Sequence, residues 1–585
     1  MTGTDKDKGD KDAPVTKYTQ EDFLTGTAPY EEVYKLHGDP FKESRAISAM
    51  EIQARRVGVL GFKGMYQKYV RKLKSIVPMD AQNLSNFSEQ PLTLDTGEWE
   101  TDETGVWRRA PMGGVEIACS HPIMPVERLR NIDTGELKII LAFRRGGKRK
   151  NPWIKITTGF DVVSNSKNIT QLSSIGISVT SGKRAQNLVD YIADVLDKNY
   201  DLIPERKSTS RMGWSEDGFS PYVEDIVFDG NPGFERTFQS ISQHGKFEIW
   251  KNEAVSIRKN LSAKIVLASS FASVLVHPCG LLPFFVHLWG MDSGTGKTVA
   301  LMAAASVWAE PTVGGGYIKT FQATSVGFEV IAGFLNSLPV VIDELQLAKD
   351  SHGKMLFDVY KLASGAGKLR SNKTLGIAQS LTWANCFLTS GETPITSEND
   401  ASGAINRVIE IECKADNKVI ADGHKTAGIM KSNYGFAGRK FIEHLAEGGE
   451  LDNARALYEK NYTACMQNDT TEKQASAAAI IVTADQLATE WIFQDNNALT
   501  VSDIASFLKS KEAVSAADRG YHYICDWVSQ NANRLKGGST ETDTYGQIIT
   551  KGEDAGWVYI IRSVFDKVCE DGKFSPRALL GHLRT

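Results

Sequence analysis

The sequence feature that most constrains the fold is a glycine-rich loop that lies between an apolar run and an alanine-rich run. Phe284–Trp289 is apolar, Gly290–Thr298 reads Gly-Met-Asp-Ser-Gly-Thr-Gly-Lys-Thr, and Val299–Trp308 contains four alanines. Glycines let backbone N–H groups close around phosphate oxygens, and a helix that begins after such a loop directs its positive end at the same anion. The pattern therefore predicts a strand, a phosphate-binding loop and a helix within a parallel α/β domain.

The last two residues of this loop match the Lys-Thr pair of nucleotide-binding loops. Lys297 is placed to reach the β- and γ-phosphates, and the Thr298 hydroxyl is placed to bind Mg²⁺. The spacing departs from the usual one, because Met291 stands where glycine is expected and Gly290 lies one residue earlier. A chance Gly-Lys-Thr turn is the alternative, which the strand–loop–helix context disfavours. The predicted nucleotide-binding residues are Gly290, Ser293, Gly294, Thr295, Gly296, Lys297, Thr298 and Asp343.

A second apolar run, Leu338–Ile342, ends in Asp343 and Glu344. We expect Asp343 to hold Mg²⁺ together with Thr298, and Glu344 to polarise the attacking water as general base. The pair is informative because it follows the glycine loop, with a strand candidate at Tyr317–Gln322 between the two. The expected cofactors are ATP and Mg²⁺.

Two later strands supply further candidate catalytic residues. One ends at Thr389 and Ser390, and a polar side chain at such a strand end can contact the γ-phosphate or orient water. The other is preceded by Arg407, the position from which an arginine finger reaches the nucleotide of a neighbouring subunit in ring ATPases. A surface arginine at the start of a strand is the alternative for Arg407.

Two basic segments are candidates for contact with a phosphate backbone. The first, Tyr360–Lys373, is rich in glycine and serine, as a hairpin tip requires, and a basic hairpin at this place in a P-loop ATPase can enter a central pore. The second lies between two β-like runs and is followed by Trp153. An ordinary solvated turn is the alternative for each segment. The predicted DNA-binding residues are Lys368, Arg370 and Lys373 in the first segment, and Arg144, Arg145, Lys148, Arg149 and Lys150 in the second.

Composition excludes several classes of protein. The net charge is −4, so any contact with nucleic acid must come from local patches. Seven dispersed cysteines have no zinc-ligand spacing, which predicts reduced thiols in a cytoplasmic protein. The uncharged run 265–289 is long enough to span a bilayer, but Pro278, Gly280 and Pro283 divide it into a buried helix and a buried strand. We therefore expect no membrane span.

The order of strand-like and helical patterns along the chain predicts a multidomain α/β protein. Short β-like runs between glycine and aspartate turns occupy residues 90–180, alternating strands and helices occupy 250–413, and helical patterns follow. The predicted parts are a disordered tail over 1–14, a helical segment over 15–85, an α+β domain over 86–250, an ATPase domain over 251–415, a helical lid over 416–499 and a carboxy-terminal domain over 500–585.

Four segments resemble the domain-of-unknown-function 927 family, a group of P-loop ATPases carried by phages and mobile elements. The segments are Gly290–Pro311, Leu338–Glu344, Tyr360–Arg370, and Trp383 with Thr389–Glu392. Relatives of this family are the replicative helicases of staphylococcal cassette chromosomes, which are similar to minichromosome-maintenance helicases. The resemblance extends from about residue 95 to 580, and its motifs are most specific over 284–412.

The resemblance implies an AAA+ core, a homo-hexameric ring, ATP with Mg²⁺ and translocation on single-stranded or forked DNA. It assigns the ATPase roles to Lys297, Thr298, Asp343 and Glu344, and the finger role to Arg407. It assigns the pore hairpin to Lys368 and Arg370, and it implies a winged-helix-like domain over 500–585.

The expected function is an ATP-dependent DNA helicase or translocase that replicates a mobile genetic element. Two alternatives remain open on the sequence. One is an AAA+ ATPase that remodels a protein partner, as a loader or initiator switch does. The other is a nucleotide-gated DNA-binding protein with little turnover, in which Glu344→Gln leaves hydrolysis unchanged.

Overall fold

The structure is a computed structural model that describes residues 18–36, 39–74, 83–110, 113–145, 151–313, 316–348, 357–368, 370–371, 377–378, 380–397, 400–535, 544–551 and 554–584. Its contacts divide the chain into two compact units. The first comprises Met1–Arg130 and Glu136–Arg206, and the second comprises Asn131–Gly135 and Lys207–Thr585.

The first unit begins with a small helical bundle that has an aromatic core. Phe23, Tyr30, Phe62 and Tyr66 are buried, and the rings of Tyr30 and Phe62 stack with their centroids 5.2 Å apart. The longest helix begins at a proline, and the preceding Asp39 side chain accepts two backbone N–H bonds as N-cap. The helices are α1 (Gln20–Leu24), α2 (Ala28–Tyr34), α3 (Pro40–Arg56) and α4 (Phe62–Lys74).

A three-stranded antiparallel sheet, three antiparallel strands of a second sheet and one long helix form the rest of the first unit. The strands are β1 (Glu100–Asp102), β2 (Gly105–Arg109) and β3 (Val115–Cys119) in one sheet, and β4 (Ile123–Asn131), β5 (Leu137–Phe143) and β6 (Ile154–Gly159) in the other. The short α5 (Phe160–Val163) precedes α6 (Lys183–Lys198). The long helix is fixed to the strands by two side chains, because Asn187 donates to the Ile117 carbonyl and the Tyr191 hydroxyl donates to the Ile123 carbonyl.

The second unit begins earlier than the sequence predicts. Its first elements are the end of β7 (Glu205–Thr209), β8 (Gly213–Ser215), β9 (Gly218–Ser220), β10 (Val227–Phe228) and α7 (Glu235–Ser240). Phe219 is buried in the core of the second unit, and Trp214 and Phe234 pack against that core. The predicted boundary at residue 250 therefore falls inside a unit that starts at Lys207, because these aromatic side chains have their apolar partners downstream.

The centre of the second unit is a parallel five-stranded sheet with the strand order β12-β13-β16-β11-β17. Its strands are β11 (Phe284–Trp289), β12 (Lys319–Thr320), β13 (Val340–Asp343), β16 (Cys386–Gly391) and β17 (Val408–Glu412). The chain leaves β11 for the far edge, returns to pair β16 with β11, and then crosses to the other side as β17. Such a reversal opens a crevice at the carboxyl ends of the strands.

The helices and small strands around this sheet follow in chain order. They are α8 (Phe247–Ile257), α9 (Leu261–Val276), α10 (Lys297–Ser306), α11 (Ser325–Leu335), α12 (Val359–Leu362), β14 (Arg370–Ser371), β15 (Ile377–Ala378) and α13 (Ser402–Ile405). The helix α9 is buried over nearly its whole length, because α10, β16 and the later helix α17 (Glu472–Ala488) all pack against it. This explains the apolar run at 265–289. Among the described residues, no helix is long and apolar enough to cross a membrane.

The chain after β17 is helical and ends in a small domain with its own core. The helices α14 (Gly423–Ser432), α15 (Phe436–Leu445), α16 (Glu450–Cys465), α17 (Glu472–Ala488), α18 (Val501–Ala505) and α19 (Lys511–Val514) come first. The small domain comprises α20 (Ala516–Gln530), β18 (Gly546–Lys551), β19 (Asp554–Ile560), α21 (Arg562–Asp571) and α22 (Pro576–His582). Ile524, Phe565 and Leu579 close its core, so three helices and a hairpin pack as one body.

Candidate nucleotide-binding site

The predicted site residues meet at the carboxyl edge of the parallel sheet. On β16, Ser390 lies opposite Leu288 of β11, and Thr389 lies opposite Ile342 of β13. The glycine loop leaves β11, and the Asp343–Glu344 pair ends β13, at this same edge. Three segments that are far apart in sequence therefore line one crevice.

The glycines of the loop are required by its shape and by its neighbours. Gly294 and Gly296 have φ values of +72° and +91°, which side-chain-bearing residues rarely adopt. A Cβ atom on Gly296 would lie 2.8 Å from the backbone nitrogen of Ile420. A Cβ atom on Gly290 would lie 2.2 Å from the carbonyl oxygen of Cys413. The loop is thus packed against the segment that follows β17.

This packing accounts for the unusual spacing of the loop. Gly290 is needed where the chain passes Cys413, which is a packing requirement at the end of β11. Met291, at the position where glycine is usual, is 86% exposed. The departure from the common pattern therefore lies outside the turn that Gly294 and Gly296 form.

Lys297 is the first residue of α10, and its ammonium group lies over the loop. Its Nζ donates to the carbonyl oxygens of Gly290 at 2.7 Å and Asp292 at 3.1 Å. Thr298 follows on the exposed first turn of the helix. Thr295 is buried, its backbone carbonyl accepts from Val419, and its hydroxyl has no hydrogen-bond partner among the described residues.

The carboxylate pair is held in two different environments. Asp343 is buried, and Ser390 donates a hydrogen bond to its Oδ1. The Glu344 N–H donates to the same oxygen at 3.1 Å, which fixes the carboxylate at the end of β13. Glu344 is exposed and has a φ of +67°, a conformation that costs about 1 kcal/mol for a residue with a side chain. The left-handed conformation of Glu344 changes the direction of the backbone directly after Asp343.

Ser390 and Thr389 face different partners. Ser390 reaches the Asp343 carboxylate, so it belongs to the crevice. The Thr389 hydroxyl lies 2.8 Å from Nδ1 of His287, a buried residue of β11. The other ring nitrogen of His287 lies 2.9 Å from the Thr393 carbonyl. The sequence offered the two polar residues as equivalents, and the structure joins only Ser390 to the carboxylate pair.

His287 gives the site a pH-dependent stability. Burial lowers the pKa of this imidazole to about 4, whereas an exposed histidine titrates near 6.5. Between pH 6.5 and 4 the unfolded chain binds a proton that the folded chain does not. The contribution of His287 to the free energy of unfolding is therefore fully present above pH 6.5 and is lost on acidification. The full loss is about 3 kcal/mol.

We expect the drop in melting temperature from pH 7 to pH 5 to be smaller in His287→Gln than in the wild type. Glutamine keeps polar atoms beside Thr389 but takes up no proton, and the difference should be about 2–4 °C. Differential scanning calorimetry at both pH values measures it. Equal drops in the two proteins would show that His287 does not titrate in this way.

Arg407 lies directly before β17 and is held by two neighbours. Its guanidinium carbon is 5.1 Å from the centre of the Tyr360 ring, and Nη1 donates to the Gly403 carbonyl at 2.7 Å. Its Nε is buried and has no hydrogen-bond partner among the described residues. The side chain therefore retains donor capacity that an anion can use.

The first basic segment contains a hairpin. β14 pairs antiparallel with β15, and Arg370 lies opposite Ala378. Lys368 is exposed at the base of this hairpin. Lys373 and the Arg370 side chain lie outside what the structure describes.

The second basic segment does not match its prediction at Arg144. This residue is 5% exposed, its guanidinium donates to Glu103 at 2.7 Å, and it lies 5.2 Å from the Trp153 ring. An arginine that is buried against a carboxylate is not available to a DNA phosphate, so the prediction for Arg144 is wrong. Arg145 is exposed and donates to the Gly176 carbonyl. Lys148, Arg149 and Lys150 lie outside the described residues.

Several residues near the crevice were not identified from the sequence. Asp292 accepts the Ala415 N–H at 2.9 Å, which ties the loop to the segment after β17. A cleft of about 470 Å³ opens between these two segments and is lined by residues 289–292 and 412–416. Asp292 lies inside the loop but is not one of its glycine, lysine or hydroxyl residues, so its contact with Ala415 appears only when the chain is folded.

Comparison with known proteins agrees with this architecture. Residues 99–382 match the model of DUF927, a domain of unknown function, and residues 515–585 match the model of the Cch helix-turn-helix domain. No curated protein sequence matches the chain.

Two solved structures are similar to the chain to different degrees. One is described as SCCmec type IV Cch, an active helicase; it has a TM-score of 0.60 and 18% identity, over 82% of this chain and 91% of that one. This likeness shows a shared multidomain α/β fold. The second, an apo structure of the NrS-1 C-terminal region, has a TM-score of 0.24 and 13% identity over 66% of this chain and 90% of that one. The match to the DUF927 model over residues 99–382 agrees with the family resemblance that the motifs predicted.

Proposed function

We propose that this protein is an ATP-driven DNA helicase or translocase of a mobile genetic element, with an AAA+ core that works as a homo-hexameric ring. The observation that carries the proposal is the meeting of Lys297, the Ser390–Asp343 pair and Glu344 at one edge of a parallel sheet. A basic loop residue, a held carboxylate and an exposed carboxylate are the groups that phosphoryl transfer to water requires.

The residues of the crevice fit ATP and Mg²⁺. Gly294 and Gly296 have positive φ values that form a tight turn, and the buried Thr295 hydroxyl lacks a protein partner among the described residues. We assign the β- and γ-phosphates to Lys297 and to the N–H groups of residues 293–298. Thr298 and Asp343 would hold Mg²⁺, which supplies positive charge against the phosphate oxygens. The adjoining cleft is large enough for the nucleoside part of ATP.

Within this site each side chain has a separate task. Glu344 is exposed at the end of β13, where its carboxylate can accept a proton from the attacking water. Ser390 holds the Asp343 carboxylate in place and so positions it. Arg407 belongs to a different part of the same chain, and we assign it to the nucleotide of the neighbouring subunit.

DNA contact is assigned to two parts of the chain. The exposed Lys368 precedes the paired strands β14 and β15, and we assign this basic segment to the backbone of a single strand. The carboxy-terminal domain matches a helix-turn-helix model, and such domains place a helix in the major groove of duplex DNA. The solved structure with the similar fold is described as an active helicase, which supports the same assignment.

Stimulation of ATP hydrolysis by DNA tests this function. We expect single-stranded DNA to raise the rate of phosphate release, and Lys368→Ala to weaken both DNA affinity and that stimulation. Lys431→Ala, which removes an exposed lysine of α14, is the matched control. A rate of ATP hydrolysis that DNA leaves unchanged but a protein partner raises would favour a remodelling ATPase. A rate unchanged in Glu344→Gln would favour a nucleotide-gated DNA-binding protein.

A further inference from the structure

Arg407 has a backbone that is fixed and a side chain that is held by a separate element. The first turn of α17 packs against the residues on either side of Arg407. The Thr471 hydroxyl donates to Asn406, and the Gln474 amide donates to the Val408 carbonyl at 2.9 Å. The position of the Arg407 guanidinium therefore depends on its side-chain neighbours and not on the path of the backbone.

The neighbour that faces the guanidinium is Tyr360, on α12. The ring is 53% exposed, so it is not a core residue whose presence packing explains. A guanidinium over a tyrosine ring is attracted by the negative face of the ring. Gly403 makes this approach possible, because a Cβ atom there would lie 2.5 Å from Cε2 of Tyr360 and 3.3 Å from Nη1 of Arg407.

The same helix is joined to the base of the basic hairpin. The indole N–H of Trp383 donates to the Leu362 carbonyl of α12 at 2.7 Å, and its backbone N–H donates to Gly365 at 3.0 Å. Two residues after Gly365, the Gly367 N–H donates to the Leu381 carbonyl at 2.8 Å. The hairpin strands β14 and β15 continue from these residues. Hydrogen bonds thus join α12 to the residues that lead into the hairpin.

We infer that Tyr360 is a positioning residue that couples the basic hairpin to Arg407. Contact of the hairpin with single-stranded DNA shifts α12, and the Tyr360 ring then sets the direction in which Arg407 points. DNA bound to one subunit would in this way regulate hydrolysis of the ATP held by its neighbour. The inference rests on the proposed function and adds to it the link between DNA and hydrolysis.

The test compares DNA-stimulated ATP hydrolysis in full-length variants at Tyr360. Tyr360→Leu removes the ring and should reduce the fold-stimulation by single-stranded DNA about tenfold, as loss of a partly buried cation–π contact allows. DNA affinity, measured by fluorescence anisotropy, should stay within about twofold of wild type, since the hairpin cations are unchanged. Tyr360→Phe keeps the ring face and should behave as wild type.

Two further variants separate coupling from folding. The guanidinium carbon of Arg128 lies 3.7 Å from the centre of the Tyr200 ring, and Tyr200 is 52% exposed. Tyr200→Leu therefore removes a similar cation–π contact in a different part of the chain and should leave the stimulation unchanged. Gly403→Ala places a methyl group against the Tyr360 ring and should reproduce the loss without changing Tyr360 itself.

The outcomes distinguish the inference from the function it rests on. Wild-type stimulation with equal stimulation in Tyr360→Leu would overturn the coupling role and leave the helicase proposal standing. A Tyr360→Phe variant as impaired as Tyr360→Leu would also overturn it, because the hydroxyl would then be the group that acts. A wild-type protein that DNA does not stimulate would defeat the proposed function and this inference together.

Discussion

Replacement of Lys297 by alanine is expected to abolish ATP hydrolysis while leaving the fold intact. The Nζ atom lies over the glycine loop, bonded to two loop carbonyls, so it is already placed where we assign the phosphates. Removing one positioned positive charge from a phosphate site of this kind costs a factor of about 10²–10³ or more in rate. Phosphate release at saturating ATP and Mg²⁺ measures the loss.

A matched lysine variant shows that the effect is local. Lys431 is exposed in the last turn of α14, and Lys431→Ala should hydrolyse ATP at the wild-type rate. Melting curves should show that both variants fold. Hydrolysis by Lys297→Ala within a fewfold of wild type would place the nucleotide elsewhere in the chain.

Mixing two inactive variants is expected to restore ATP hydrolysis. Arg407→Ala should lose a factor of about 10³ through the missing finger. Glu344→Gln should lose a factor of about 10²–10⁴ through the missing general base. In a mixed ring, a site with an intact Glu344 can face a neighbour with an intact Arg407, and that interface is complete.

The mixing experiment reports on the assignment of each residue to one side of the interface. We expect phosphate release to rise from the level of either variant alone to a maximum at intermediate ratios. Lys297→Ala mixed with Glu344→Gln is the control and should give no recovery, since both lesions lie in the same nucleotide site. Absence of recovery for Arg407→Ala with Glu344→Gln would mean that Arg407 serves its own subunit.

The sequence predicted the central sheet because its signals are local. An apolar strand, a glycine loop and an alanine-rich helix follow one another within 25 residues, from Phe284 to Trp308. The apolar run at 265–289 was likewise resolved correctly into α9 and β11, since prolines and a glycine separate the two. Periodicity and breakers report on such stretches without knowledge of the rest of the chain.

Contacts between distant segments were not predictable in this way. Thr389 and Ser390 are adjacent polar residues at a strand end, and only the parallel register of β16 shows that Ser390 faces Asp343. Arg144 was assigned to DNA because it opens a run of cations, yet it pairs with Glu103, 41 residues away. The boundary near Lys207 was missed because Trp214 and Phe234 find their apolar partners far downstream.

The central claim, that ATP hydrolysis at this crevice drives strand separation, is tested most directly with a forked duplex. One strand carries a fluorophore and the other a quencher, and unwinding is followed with wild-type protein, Lys297→Ala and Glu344→Gln. We predict a rise in fluorescence for the wild type that requires ATP and Mg²⁺, and no rise for either variant. Strand separation by Lys297→Ala, or by the wild type without ATP, would contradict the account.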